Sequence, residues 1–434
     1  MIKKGIEINN VTGDEVNKYT LDNGLSLYIC NKPGYSSTIG MFGTEYGSID
    51  NEFIDIETGN REKVPEGIAH FLEHKLFEQE GANALDLFSK MGVSCNAYTS
   101  FDHTVYYFET TKKVEESLEK LVELVTTPYF TVENVEKEKG IIMQELKMYE
   151  DDPGSVVYYN TLKAMYVNHP LNIDIVGTRD SIMRITRENL YTCYNTFYSP
   201  NNMFFMVVGD IESSDDMAEY INNLFSKREN KYANKDITRI KVTEPQEISK
   251  KTIEKEIDIF NPYIAFGFKY LPKEGIENKK LDLVVQIIEE AAFSEMSDFY
   301  EDLYNKGVVN EPIQFEYGYG VDYSYLMMLG CSQKPQEYIT LVKAELQKLK
   351  YNGIDVESFN VAKNKIIGKY IFRSEKLMDM TRQIINSYIL NTDIFNDIDI
   401  LKEINLEDIN KFLKENIDLE NMVESQVKPN KEYL

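Results

Sequence analysis

Two histidines four residues apart, with a glutamate just before the second, are the residues of this chain best suited to chemistry: His70-Phe71-Leu72-Glu73-His74. On a helix, positions i and i+4 lie one turn apart on the same face. Two imidazole nitrogens placed this way can meet a single metal ion at about 2.0–2.1 Å. Glu73 stands beside the pair, where a carboxylate can reach a water and take its proton as a general base. It cannot easily do that and also be a ligand. The order reverses the commoner His-Glu-x-x-His arrangement while meeting the same needs. Only four histidines occur in the chain and two of them fill this pentapeptide, which weighs against two core histidines meeting by accident.

A catalytic zinc usually takes three protein ligands and keeps one position open, so a third ligand is expected elsewhere. The helix expected over 132–149 offers Glu133, Glu136, Glu138 and Glu145, with Glu150 just beyond. Glu138 and Glu145 are two turns apart and share a face, whereas Glu150 lies about 140° further round. Glu145, flanked by Met143 and Leu146, is better placed to point inward. Glu150 opens the acidic run Glu150-Asp151-Asp152, which reads as a solvated helix end. Glu133 and Glu136 read as an exposed face, and Glu138 as a carboxylate behind a ligand, orienting it or balancing charge. Other candidates carry less. His103 falls at a hairpin turn and His169 precedes Pro170, both structural positions. Cys95 lacks a histidine and acid to activate it, and Ser48 and Ser100 lack an elbow motif. The tyrosines of 315–325 read as strand surface and core.

The elements that must position these residues follow from periodicity. Leu25, Leu27 and Ile29 alternate after the Asp22-Asn23-Gly24 turn, predicting strands across 18–49, with a second one over Thr38 to Tyr46. Residues 50–66 read as a loop ending at Pro65. Ile68, Phe71, Leu72 and Leu76 then make a helical stripe around the motif. A short helix over Ala84 to Met91 is closed by Gly92, and Ser94 to Ser100 with Thr104 to Glu109 reads as a strand pair. A helix carries Val114, Leu118, Leu121, Val122 and Val125. The 132–149 helix stops before Pro153, and Met203 to Val208 reads as a strand ending at Gly209-Asp210.

The pattern is α+β: two homologous α/β-sandwich halves, each an antiparallel-rich sheet with helices packed on one face. The expected boundaries are 1–225 for a catalytic half, 226–250 for a linker rich in Lys, Arg, Asn and Glu, and 251–434 for a non-catalytic half. The second half repeats the first in degraded form. Ile68 to Phe77 matches Val284 to Phe293 at its apolar positions, and Ile141-Ile142 matches Ile366-Ile367. In the repeat His70 becomes Gln286, His74 becomes Glu290 and Glu145 becomes Tyr370, so the scaffold is kept and the chemistry lost.

Length, charge and cysteine usage narrow the class. The 434 residues exceed one ordinary core. A net charge of −25 argues against nucleic acid and anionic membranes as partners; it would attract basic peptides, with simple solubility the larger reading of it. Cys30, Cys95, Cys193 and Cys331 are scattered without metal-type spacing and point to a reducing compartment. The start, MIKKGIEINN, lacks the apolar run of a secretory signal, and no stretch is long enough to cross a bilayer, so a cytoplasmic location is expected.

Gly67 to His74, followed by Glu138-Lys139-Gly140-Ile141-Ile142-Met143-Gln144-Glu145, resembles the insulinase and pitrilysin family of inverted-motif zinc peptidases. Asn96-Ala97-Tyr98-Thr99 and Tyr198 to Met203, ending in Gly209-Asp210, are similar to the same pattern. The resemblance is strong over residues 18–210 and weak beyond. It implies one zinc per chain held by His70, His74 and Glu145, with Glu73 as base. It also implies substrate backbone pairing along Asn96, Ala97 and Tyr98, with Asn96 steadying the peptide near the cleaved bond. In that family two chains, or two fused pairs, close like a clamshell around a chamber. A zinc endopeptidase of unfolded peptides is therefore expected, paired with a homologous inactive subunit or, alternatively, with a second copy of itself. The competing expectation is a zinc-binding scaffold subunit without turnover. One departure bears on this: related subunits carry Arg and Tyr in a Leu-Arg-Glu…Gly-Leu-x-Tyr pattern, and Leu303 to Asn310 has neither residue in place. Arg373 or Arg382, with Tyr388, could stand in.

Overall fold

The computed structural model describes residues 1–226, 228, 231–233 and 235–430; positions 227, 229, 230 and 234 of the expected linker lie outside the described residues. Two sheets organise the chain. The first has seven strands: β1 (Ile2–Ile8), β2 (Glu15–Thr20), β3 (Ser26–Asn31), β4 (Thr38–Thr44), β5 (Ser94–Thr99), β6 (Thr104–Thr110) and β7 (Met203–Gly209), in the order β1-β2-β3-β7-β4-β6-β5. The second has five: β8 (Thr252–Ile257), β9 (Tyr263–Tyr270), β10 (Gln314–Tyr319), β11 (Ser324–Cys331) and β12 (Met422–Pro429), in the order β8-β12-β9-β11-β10. The five strands β3-β7-β4-β6-β5 repeat this second order, including the single parallel pair, β3 with β7 and β8 with β12. The α+β duplication read from the sequence is thus present in the topology, and β1 and β2 are additions to the first copy.

Among the helices that position the site or cover the sheets are α1 (Ile68–Leu76), α2 (Val132–Asp151), α3 (Pro153–Met165), α4 (Gly275–Ala292), α5 (Val356–Arg373) and α6 (Leu377–Leu390). The compact units do not follow the expected boundaries. One comprises 1–146, 174–241 and 373–389; the other comprises 147–173, 242–372 and 390–434. Each half of the chain therefore hands a helix to the other's sheet: α3 goes to the second sheet and most of α6 to the first. The physical reason is visible in the central strands. All seven residues of β4 and of β7 are buried, and Met203-Phe204-Phe205-Met206-Val207-Val208 is apolar on both faces. Such a sheet needs cover on both sides. Helices of its own half cover one face, where the Phe42 ring meets Phe225. On the other face Tyr388 of α6 packs against Tyr28 and Phe204. In the second unit Phe266 stacks with Tyr338 on one face. On the other, a Cβ at Gly267 would meet Thr161 and Met165 of α3.

The expected linker is fastened at its residues 238–240 and 244. Its residues 238–240 join the short hairpin 52–54/61–63, with Ile54 N donating to Thr238 O at 2.9 Å and Ile240 N to Glu52 O at 2.8 Å. That hairpin lies in the stretch read as loop. Arg239 donates to the buried Asp50 carboxylate at 2.8 Å, and Glu244 accepts backbone N–H bonds from Val167, Asn168 and His169. Strand β1 is also unexpected, since its exposed pattern gives no alternation. No helix among the described residues is long and apolar enough to cross a membrane.

Candidate metal centre

Helix α1 begins behind Gly67, whose φ of 84° lies in the left-handed region. A Cβ there would strike the Val176 carbonyl oxygen at 2.2 Å, so glycine is required both by the turn and by the close backbone approach. The helix is buried nearly all round, His70 and Glu73 included. It contacts β5 and β6, which seats the motif against the edge of the first sheet.

The two imidazole rings stand 4.6 Å apart, centroid to centroid. Glu145 reaches them from α2: its Oε1 lies 3.6 Å from His70 Nε2 and its Oε2 3.4 Å from His74 Nε2. One donor atom from each of the three residues falls within 4.8 Å of the others. Donors around one tetrahedral zinc stand about 3.4 Å apart, given bonds of about 2.0–2.2 Å. The spacing and the donor set, two imidazoles and one carboxylate, therefore fit a zinc ion. Glu150 is outside this group. Glu138, one of the buried residues of α2, accepts from His74 Nδ1 at 3.2 Å. Burial opposes the charged form of His74, but the hydrogen bond to Glu138 and the carboxylates of Glu73 and Glu145 outweigh it and raise its pKa. Burial likewise opposes the anion of Glu138, and His74 and Lys75 outweigh it and lower its pKa.

Glu73 is placed beside the pair, and Thr99 Oγ1 donates to its Oε2 at 2.7 Å. Thr99 was not singled out in the sequence. Its signal was there in principle: on β5 it shares a face with Cys95 and Ala97, the half-buried positions of the strand. Asn96 and Tyr98 are exposed on the same strand, which has a free edge among the described residues, where β6 is its sole partner in the sheet. Asn96 lines, with Glu73, His74, Phe77, Glu78 and Glu133, a cavity of about 870 Å³. Its side-chain oxygen accepts from the Ala97 N–H at 2.9 Å.

The remaining candidates sit where structural roles suffice. His103 Nδ1 meets Asp102 at 2.6 Å in the β5–β6 turn. His169 is buried, with Nδ1 accepting from Leu171 N and Nε2 3.3 Å from Asp322. Burial pushes the Cys95 thiol up to about 12, far from a nucleophile's range. Arg373, Arg382 and Tyr388 all belong to the first unit, the one that carries the metal centre. Tyr388 donates to Glu45 at 2.6 Å and is committed to packing. Arg382 is close enough for its charge to act on the Tyr98 hydroxyl.

Together the duplicated fold and the inverted His-x-x-Glu-His centre define the zinc-peptidase type of the insulinase family, and the chain belongs to that family. The model for insulinase (peptidase family M16) matches residues 52–179, and that for the peptidase M16 inactive domain matches 184–366. Among relatives, the chain is similar to the uncharacterized zinc protease YmfH of Bacillus subtilis, 35% identical over 94% of this chain and 95% of that one. Among solved structures, it is similar to a chain described as an M16-like peptidase from Alicyclobacillus acidocaldarius, with a TM-score of 0.91, 32% identity and coverage of 98% and 100%. A protease from Helicobacter pylori, at 20% identity, a TM-score of 0.84 and coverage of 96% and 100%, shares the fold.

Proposed function

We propose that the chain is a zinc-dependent endopeptidase acting on unfolded peptides or small polypeptides. The observation that carries this reading is the convergence of His70, His74 and Glu145 on one point with a carboxylate, Glu73, free of ligand duty beside it. A site that only held its metal for structure would have no use for that base. His70, His74 and Glu145 would hold one zinc per chain. When bound, the ion would polarise the scissile carbonyl and acidify a water toward neutral pH. Glu73 takes the proton from the attacking water and passes it to the leaving amine, so the carboxylate ends each cycle as it began. Thr99, bonded to one oxygen of Glu73, holds the other in a fixed direction. Glu138 orients His74. An extended peptide would add to the free edge of β5 through main-chain hydrogen bonds, steadied by Asn96, Ala97 and Tyr98.

The acidic lining of the adjoining cavity and the net charge of −25 favour basic peptides. A homologous second chain, distinct or identical, is part of this proposal, since two chains closing around the peptide would exclude folded proteins. A reducing, cytoplasmic setting accords with four free thiols. The test is metal analysis with a quenched-peptide assay, the sample's oligomeric state followed by light scattering. Wild-type protein should carry about one zinc per chain and cleave. Glu73→Gln should keep the zinc and lose about 10²–10⁴-fold in turnover. Loss of zinc in Glu73→Gln, or full turnover with it, would defeat the assignment.

A further inference from the structure

A lysine side chain with none of its surface in water lies behind this centre. Lys75 is fully buried, directly after His74 on α1. A lysine is almost never fully buried unless it is paired, and leaving water costs an ammonium several kcal/mol unless partners surround it. Its Nζ bonds Glu78 and lies 3.6 Å from Glu138 Oε2. The other oxygen of Glu138 is the one that meets His74 Nδ1. Glu138 is thus held at both ends, by a cation on one oxygen and by the imidazole on the other.

We propose that Lys75 is a positioning residue for the metal centre, acting through Glu138 to fix the tautomer and direction of His74. The inference rests on the reading of His74 as a zinc ligand. The physical chain is short. With Lys75 Nζ against one carboxylate oxygen of Glu138, the other is turned to His74 Nδ1 as a hydrogen-bond acceptor. The hydrogen held at Nδ1 makes Nε2, on the Glu145 side of the ring, the nitrogen that would take the metal. His70 has no such arrangement, since its buried Nδ1 has no hydrogen-bond partner among the described residues. Control of ligand geometry from behind is confined to one of the two histidines, and Lys75 is its far end. Glu78, the other partner of Lys75, does not touch the ligands and offsets the remaining charge.

The experiment measures zinc affinity by competition with a chromogenic chelator, and the visible spectrum of the cobalt-substituted protein, in five forms besides wild type. Lys75→Met should weaken zinc binding by about 10–100-fold, the range for lost support behind a ligand, and alter the cobalt spectrum. Glu138→Gln should do the same. The double variant should be no weaker than the weaker single, because both act along one path. Lys75→Arg, which keeps the charge, should recover most of the affinity, and Glu78→Gln should stay near wild type. If Lys75→Met does not fold, Lys75→Gln is read by the same criteria. Wild-type affinity and spectrum in folded Lys75→Met or Lys75→Gln, or fully additive losses in the double, would overturn the proposal. If the wild-type protein binds no zinc, the reading of the centre has failed instead.

Discussion

The centre is assembled from residues that differ in how openly the sequence displays them. His70, Glu73 and His74 are legible because their spacing is dictated by the helix period. Glu145 is legible because it shares a helix face with apolar neighbours. Thr99 and Lys75 are not, since each gains its role from a partner distant in sequence. Thr99 lies 26 positions from Glu73, and the Lys75–Glu138 pair joins two helices. Nothing in the type of a threonine or a lysine announces such a partner. Thr99 offers a direct test at this scale. Thr99→Val keeps the shape and removes the hydroxyl, so Glu73 loses the bond that holds one oxygen. Zinc content should be unchanged while kcat falls by about 10–150-fold, the equivalent of one hydrogen bond to a charged group. A kcat equal to wild type would show that Glu73 is held by other means.

Elements are legible where one face is buried and obscure where both are. Alternation places β5 because it has an inside and an outside. The same reasoning expects helices on one face of each sheet, and misses that β4 and β7 are buried on both. The uninterrupted apolar run at 203–208 is the available sign that a second cover is needed. The Asp50–Arg239 pair tests how the linker is fastened. Burial raises the Asp50 pKa from 3.8 to about 6, against the opposing pull of Arg239. Since the folded carboxyl binds its proton more tightly than the unfolded one, the native state gains stability as pH falls from about 6 toward 3.8 and loses it as pH rises. Asn at this position cannot do this. The melting temperature of Asp50→Asn relative to wild type should therefore decline as pH is lowered from 7.5 to about 4.5. A difference independent of pH would remove Asp50 as the titrating group.

The whole molecule is a duplication whose two copies trade helices, so the halves are not separable at the place where the sequence divides. Cutting within 226–250 would leave residues 1–225 with α3 exposed and one face of the first sheet bare. The other fragment would keep α6 but lack α3. Val157, Thr161, Leu162, Ala164 and Met165 of α3 are all fully buried in the intact chain. Expressed singly, each fragment should aggregate or show loose packing by near-ultraviolet circular dichroism. Expressed together, they should reassemble into a species that melts cooperatively. A fragment 1–225 that folds alone with a sharp transition would contradict the exchange.

The second copy of the site also bears on reversibility. Where the first copy has His70 facing Glu145, α4 and α5 carry Gln286, whose amide donates to Tyr370 at 3.2 Å. Where it has His74, Glu290 is braced by Lys365 and Lys369. Restoring a ligand at Gln286 alone breaks a satisfied bond and gains nothing. Restoring one at Glu290 leaves an imidazole facing two ammonium groups, and a divalent cation arriving there would meet their repulsion. Each of these two single steps is uphill. With both lysines in place, no one substitution at Gln286 or Glu290 rebuilds a metal centre in the second copy.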